Sequence, residues 1–145
     1  MLVEKTNRKI PAMKNFRVLL IACLTNIFLF SSGNAHHSFA MFDDQSEMWL
    51  EGTISLFQWT NPHTFIHVLV EASGEENNMI DLDVPIEWSL EGGSPNILSR
   101  NGWKRTSLEE GERVRVLIYP LKDGNAGGTF LEIHKEDGTV LYYHG

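Results

Sequence analysis

Downstream of residue 35 the 145-residue sequence contains no cysteine at all; Cys23 is the only one in the chain. The folded body therefore has no disulfide, no thiolate nucleophile and no cysteine-zinc site, and any metal would be held by histidine, carboxylate or backbone nitrogen. Positive charge is also scarce. Of 12 Lys and Arg, five (Lys5, Arg8, Lys9, Lys14, Arg17) precede the apolar run that begins at Val18, whereas only Glu4 of 19 Asp and Glu does, which leaves 7 basic against 18 acidic residues, a balance of −11. So acidic a surface repels phosphate backbones and disfavours nucleic-acid binding. Long apolar runs are missing too. Val18–Phe30 is 13 residues and is interrupted by Thr25 and Asn26, short of the ~20 that a membrane-spanning helix needs, so no permanent span is expected.

Catalytic signatures are absent as well. There is no Gly-x-Gly-x-x-Gly, no Gly-Lys-Ser/Thr phosphate loop, no His-Glu-x-x-His and no Gly-x-Ser-x-Gly, so nucleotide, metalloprotease and hydrolase readings lack their anchors. The sequence reads as a binding protein, not an enzyme.

What is present at the N-terminus is an export signal. Lys14 and Arg17 lead into the apolar run, which closes on Ser31, Ser32, Gly33 and Ala35, the plan of a cleaved secretory leader. Met13 begins a complete charged leader by itself. Leu20-Ile21-Ala22-Cys23 resembles a lipoprotein box, but only Val18 to Ala22 would precede it, too short for the apolar region such a signal needs. The expected organisation is a signal peptide over 1–35, an N-terminal arm over 36–47, and one domain over 48–145 in the periplasm or outside the cell. That length sustains a core without staples.

From Met48 onward the hydrophobic period is two, the mark of strands with one buried face. A long first strand carries Leu50, Ile54 and Leu56, with Gly52 on the apolar face where a bend or close backbone approach is expected. Trp59-Thr60-Asn61-Pro62-His63 ends it, because Asn-Pro starts turns and proline donates nothing to a ladder. A second strand covers Thr64 to Glu71, with Ile66, Val68 and Val70 on one face and Phe65, His67 and Leu69 on the other. Ser73–Asn78 reads as a hairpin loop, and Ile80, Leu82, Val84, Ile86 and Trp88 as the apolar face of a third strand opposite Asp81, Asp83, Pro85 and Glu87. Ser94-Pro95 opens a short helix with Ser as N-cap, and Asn101-Gly102 closes it. Strands follow over Arg113–Tyr119, Thr129–His134 and Val140–Tyr143. This order is that of a mainly β, OB-like Greek-key barrel of five to six antiparallel strands with one short helix between strands three and four. A five-stranded roll with a docked helix is the competing arrangement.

Several stretches together resemble a family of small exported bacterial proteins of unknown function. They are Ala35-His36-His37-Ser38-Phe39-Ala40-Met41-Phe42-Asp43, Leu50-Glu51-Gly52-Thr53, Trp59-Thr60-Asn61-Pro62-His63, Ser94-Pro95, Gly102-Trp103 and Pro120-Leu121-Lys122-Asp123-Gly124. The resemblance implies an exported single domain and no reaction.

Six histidines, His36, His37, His63, His67, His134 and His144, are the only side chains here that combine metal affinity with a near-neutral pKa. Cleavage after Ala35 frees an amine on His36 itself, so amine and imidazole reach one ion together and His37 adds a second ring. Cleavage after Gly33 instead places histidine third. Both nitrogen-rich sets suit copper(II), with zinc as the other candidate. A closed site needs a further ligand from the domain: His63, which lies in a turn, is preferred to His67 or His134. His63 and His67 are four strand residues apart, roughly 13 Å at ~3.3 Å per residue, and are not an obvious pair. Without metal, His63 would cap the Asn61-Pro62 turn and His67 would pack between Phe65 and Leu69. The other candidate function needs no cofactor: an accessory module docking an envelope partner through Trp59, Asn61, Pro62 and His63. Neither Asp43-Asp44 nor Asp81, Asp83 and Glu87 has a glycine-turned loop for calcium, so both read as solvated acid.

Overall fold

The computed structural model describes residues 39–143; the stretch expected to be a leader, with Met13, Cys23 and both expected cleavage positions, and His36, His37 and His144, lie outside them. A single 3₁₀ turn, Phe39–Met41, precedes β1 (Met48–Gln58), β2 (Thr64–Glu75), β3 (Asn78–Gly92), the helix α1 (Pro95–Arg100), β4 (Arg113–Pro120), β5 (Gly127–Lys135) and β6 (Val140–Tyr142). The strands form one sheet in the order β3-β2-β1-β4-β5-β6, with each neighbouring pair in that order antiparallel. A short parallel pairing of Ser89–Glu91 with Gly127–Thr129 bends the sheet into a partly closed ring. Mainly β, with six strands and one short helix between β3 and β4, the architecture is the expected one, and its strand circuit is compatible with an OB-like barrel.

Closure follows from sequence. Gly127 and Gly128 have no side chains to hold β5 away from β3 and β4: a Cβ on Gly128 would stand 2.5 Å from the Tyr119 carbonyl oxygen. At Gly52 the ladder with β2 shifts register, and a Cβ there would lie 2.2 Å from the Leu69 oxygen. This is the close approach expected on β1. Inside the ring Leu50, Ile66, Val68, Leu90, Val116 and Phe130 are fully buried. The helix and the turn after it plug one end: Leu98 is buried, the Trp103 amide donates to the Leu98 carbonyl at 3.0 Å, and the Trp103 indole Nε1 donates to the Tyr142 carbonyl at 2.8 Å. Gly102 takes a φ of +88° at the helix exit, as the Asn-Gly ending requires.

Three expectations are corrected. The Ser94 side chain makes no cap hydrogen bond; its carbonyl instead accepts from the Ile97 and Leu98 amides, and Pro95 at the first position already removes one orphan donor. The hairpin loop shrinks to Glu76-Asn77, because β2 runs on to Glu75 and β3 starts at Asn78. Ile80, Val84 and Ile86 are exposed rather than buried. The reason is the ladder between β2 and β3. Val70 pairs with Ile86 but Ala72 pairs with Asp81, so four residues, Leu82–Pro85, bow out opposite the single Glu71, and β3 gains a second neighbour only from Ser89 on. Among the described residues no helix is long and apolar enough to cross a membrane.

The exit of β5 is tied by Lys135, whose ammonium lies 2.8 Å from Glu112 Oε1 with both side chains mostly buried. The hydrogen bond to Glu112, reinforced by the carboxylate's charge, raises the Lys135 pKa against the opposing effect of burial. A raised folded-state pKa means that the stabilisation is complete below the unfolded lysine value and is lost as pH rises through the folded one. Lys135→Met is therefore expected to cost roughly 1 kcal/mol in urea melts at neutral pH, and the gap from the parent should close in strongly alkaline buffer. A gap independent of pH would assign the effect to packing.

Candidate functional site: the His63 cleft

His63 stands at the mouth of β2, directly after the cis Asn61-Pro62 bond. Its backbone carbonyl accepts from Thr60 Oγ1 at 3.2 Å, while its ring turns away from that loop toward β3. Nδ1 is 3.0 Å from Glu91 Oε1 and 3.3 Å from the Gly92 carbonyl oxygen. Both neighbours are acceptors, so Nδ1 is the donor of this ring, and in the neutral tautomer that this selects the lone pair is on Nε2. The metal-free role expected of His63 is thus corrected: Thr60 closes the turn, and the imidazole is oriented by a carboxylate across the sheet. The next residue, Thr64, is fully buried and locks the strand, its amide and Oγ1 both donating to the Gly93 carbonyl at 3.1 and 2.9 Å.

Around this pair is a cleft of about 340 Å³ whose walls include Phe39, Phe42, Pro62, Ile97 and Tyr143. Apolar walls with a few convergent polar groups are the usual make-up of a small-ligand site. Burial, and then the nearby negative charge of Glu91, raise the Tyr143 hydroxyl pKa, so this phenol stays protonated across the ordinary pH range. Phe39 enters through the arm, with its ring edge-on to Phe42 at 5.9 Å between centroids. Phe42 is only 4% exposed and bridges to Leu121.

The remaining sequence candidates are distributed as follows. Asn61 and Pro62 are exposed and Pro62 lines the cleft, whereas Trp59 is half-buried, edge-on to Phe57 at 5.6 Å, and accepts through its carbonyl from Arg105 Nη2 at 3.3 Å. His67 is half-buried in mid-strand opposite Leu56 and Ser89. His134 lies edge-on to Trp49 at 5.1 Å and lines a different, smaller cleft of about 210 Å³ with Arg113, Arg115 and Lys135. There each cation already faces a carboxylate: Arg113 with Glu71 at 2.7 Å, Arg115 with Glu51 at 3.3 Å and Lys135 with Glu112 at 2.8 Å. The Arg115–Glu51 contact lies within ion-pair distance, yet Arg115 Nε is buried without a well-aligned hydrogen bond, so we treat it as a charge contact only. Among the described residues no three His, Asp or Glu side chains gather into a set that would hold a metal. His63 and Glu91 supply two groups, and His67 does not join them, because four strand residues separate the two histidines.

Glu91 and Tyr143 were not picked out by sequence. The one available signal was period two continuing past Trp88 to Leu90, which keeps Glu91 in the strand and opposite Phe65. A family model described as a family of unknown function (DUF6152) matches residues 27–132. No curated protein and no solved structure matches the chain.

Proposed function

For a chain that belongs to the DUF6152 family of unknown function, we propose an exported, periplasmic protein that binds copper(II), or zinc, through His63 together with His36 and His37, and that acts by binding rather than by catalysis. The observation that supports this most is the placement of Phe39: it lines the same cleft as His63 and follows His37 by two residues. At no more than ~3.6 Å per residue, His37 can lie at most about 7 Å along the chain from Phe39, and His36 about 11 Å. Glu91 holds Nδ1 and leaves Nε2 to the metal, the arrangement that fixes ring orientation and raises ligand basicity in metal-bound histidines. His36 contributes amine and imidazole to one ion after cleavage, and three or four nitrogens favour copper(II) over the other divalent ions of the first row.

The test is a copper and zinc titration of protein beginning at His36. His36→Ala/His37→Ala, and a form with one extra residue ahead of His36, are expected to bind far more weakly than the parent. Glu91→Gln should lose about 10- to 100-fold, the usual effect of removing the partner that orients a ligating histidine. Equal, weak binding by all four proteins ends the metal reading. The reading then left is metal-free docking of an envelope partner on the exposed Asn61-Pro62 turn, with Trp59 as its backing.

A further inference from the structure

Glu91 is the only Asp, Glu, Lys or Arg side chain in the walls of the His63 cleft, and it also lines an adjoining hollow of about 170 Å³. The two spaces share Phe42 as well, and the hollow adds Phe65 and Leu121, so one carboxylate stands where two largely apolar spaces meet. Its backbone is held in place. The Glu91 carbonyl accepts from Thr129 Oγ1 at 2.9 Å, and a Cβ on the next residue, Gly92, would collide with the Phe130 ring. The aromatic walls are tied too. The Tyr143 amide donates to the Leu131 carbonyl at 2.7 Å, and Phe39 is carried on an arm whose Met41 and Ala40 carbonyls accept from the Lys122 amide and ammonium, both at 3.0 Å. Walls fixed before a ligand arrives reduce the ordering cost of binding.

The carboxylate is poorly supplied with donors. Its side chain is 19% exposed; Oε1 lies 3.0 Å from His63 Nδ1, which also serves the Gly92 carbonyl at 3.3 Å, and Oε2 accepts no hydrogen bond from the described residues. This charge decides what the cleft takes. An anion is repelled. A neutral apolar molecule would displace water from Oε2 and put no donor in its place, a cost set against every contact it makes with the walls. A guanidinium fork is matched to two free carboxylate oxygens, and here Oε1 is already engaged. A primary ammonium needs only one oxygen. Cations are also attracted to aromatic rings, of which Phe39, Phe42 and Tyr143 line the cleft, and to the excess of acid over base that follows the apolar run.

We propose that this cleft is a binding site for a small organic ammonium ion, a primary amine on an apolar body, with the ammonium donating to Glu91 Oε2 and the body lying against Phe39, Phe42 and Ile97. All the groups that make the site belong to residues 39–143, and none of them needs a metal.

The experiment titrates metal-stripped protein, in buffer containing a chelator, with phenethylamine, which is charged at neutral pH as a lysine side chain is. Phenethyl alcohol is the uncharged counterpart and hydrocinnamate the anionic one, and amide NMR reports where each binds. Phenethylamine should bind at about millimolar concentration or below, shift the Gly92, Gly93 and Tyr143 amides, and bind roughly tenfold tighter than the alcohol, the worth of one hydrogen bond to a charged group. Hydrocinnamate should be the weakest of the three. Glu91→Gln should abolish the preference for amine over alcohol. Asp83→Asn, which removes an exposed charge of the same strand outside the cleft, should leave that preference intact. Phe39→Ala, at a position that is 49% exposed and so tolerant of truncation, should weaken the amine about two- to fivefold. Equal binding of amine and alcohol by the parent, an undiminished preference in Glu91→Gln, parent-like amine binding in Phe39→Ala, or shifts confined to amides away from the cleft overturns the proposal. Because no metal is present, none of these results bears on the copper and zinc titrations, and failure of those titrations leaves the amine site standing.

Discussion

Trp103→Ala is expected to remove about 3–5 kcal/mol of stability, a large part of what a domain of this size possesses, and so to lower the unfolding midpoint steeply. Trp103 is 2% exposed and is in ring contact with Phe130 at 5.3 Å and Phe57 at 6.4 Å. Truncation leaves a cavity where the plug after α1 meets the ring. It also strips the Tyr142 carbonyl of its indole donor, in a strand, β6, that is only three residues long and pairs with β5 along that length. Urea unfolding followed by circular dichroism gives the loss directly. Trp103→Phe separates the two contributions: most of the packing survives, the indole bond does not, and amide exchange should quicken at Val140–Tyr142 while β1 and β2 stay protected. Unchanged exchange at β6 in that variant would show that the indole bond does not hold the strand.

Gly52→Ala is expected to be nearly as damaging although it adds one carbon. The new Cβ would stand 2.2 Å from the Leu69 oxygen, 2.9 Å from its carbonyl carbon and 2.9 Å from Val70 Cα. These are backbone atoms of the paired strand, which cannot rotate aside as a side chain would, so the cost should reach or exceed the upper end of ordinary overpacking, about 3 kcal/mol. Gly102→Ala is the contrast. There a Cβ meets nothing within 4 Å, and the penalty comes only from the φ of +88°, about 1–2 kcal/mol. Urea midpoints of the two variants, measured side by side, distinguish a clash between strands from a backbone preference. If Gly52→Ala proves the milder, β1 and β2 can separate locally without loss of the ring.

The same residues show what sequence makes legible. Period two located β1, β4 and β5 to within about two residues and the start of β2, though not its end four residues beyond Glu71, because a strand with one wet face announces itself residue by residue. The helix was readable from Pro95 and Gly102, whose conformational preferences are local. Gly52 was readable as a close approach, though not its neighbour, since nothing in Leu50-Glu51-Gly52-Thr53 mentions Leu69. β3 misled: its alternation is real, but the bow opposite Glu71 and the missing second neighbour are decided by other strands, so Ile80, Val84 and Ile86 carry a core pattern into solvent. The cleft fails in the same way. His63 and Glu91 are 28 positions apart and Glu91 and Tyr143 are 52 apart, separations at which spacing has no predictive content. His63 was singled out for lying in a turn, whereas its orientation comes from a carboxylate that had attracted no notice.

The outer margin of β3 has a colloidal meaning. Between Asn78 and Trp88 it offers a strand edge with no second neighbour among the described residues and three exposed aliphatic side chains, the composition of a template on which identical chains stack. What stands in the way is the bow at Leu82–Pro85, the missing amide hydrogen of Pro85, and Asp81, Asp83 and Glu87 set among the aliphatics, the devices by which natural sheets keep their edges single. Two of these guards are shape and travel with the chain. The third is charge and belongs partly to the solvent, because repulsion between two such edges is felt over about 8–10 Å in dilute salt but only about 3 Å in molar salt. Pairing of two such margins is therefore expected to become easier as ionic strength rises, while the ring behind them remains indifferent.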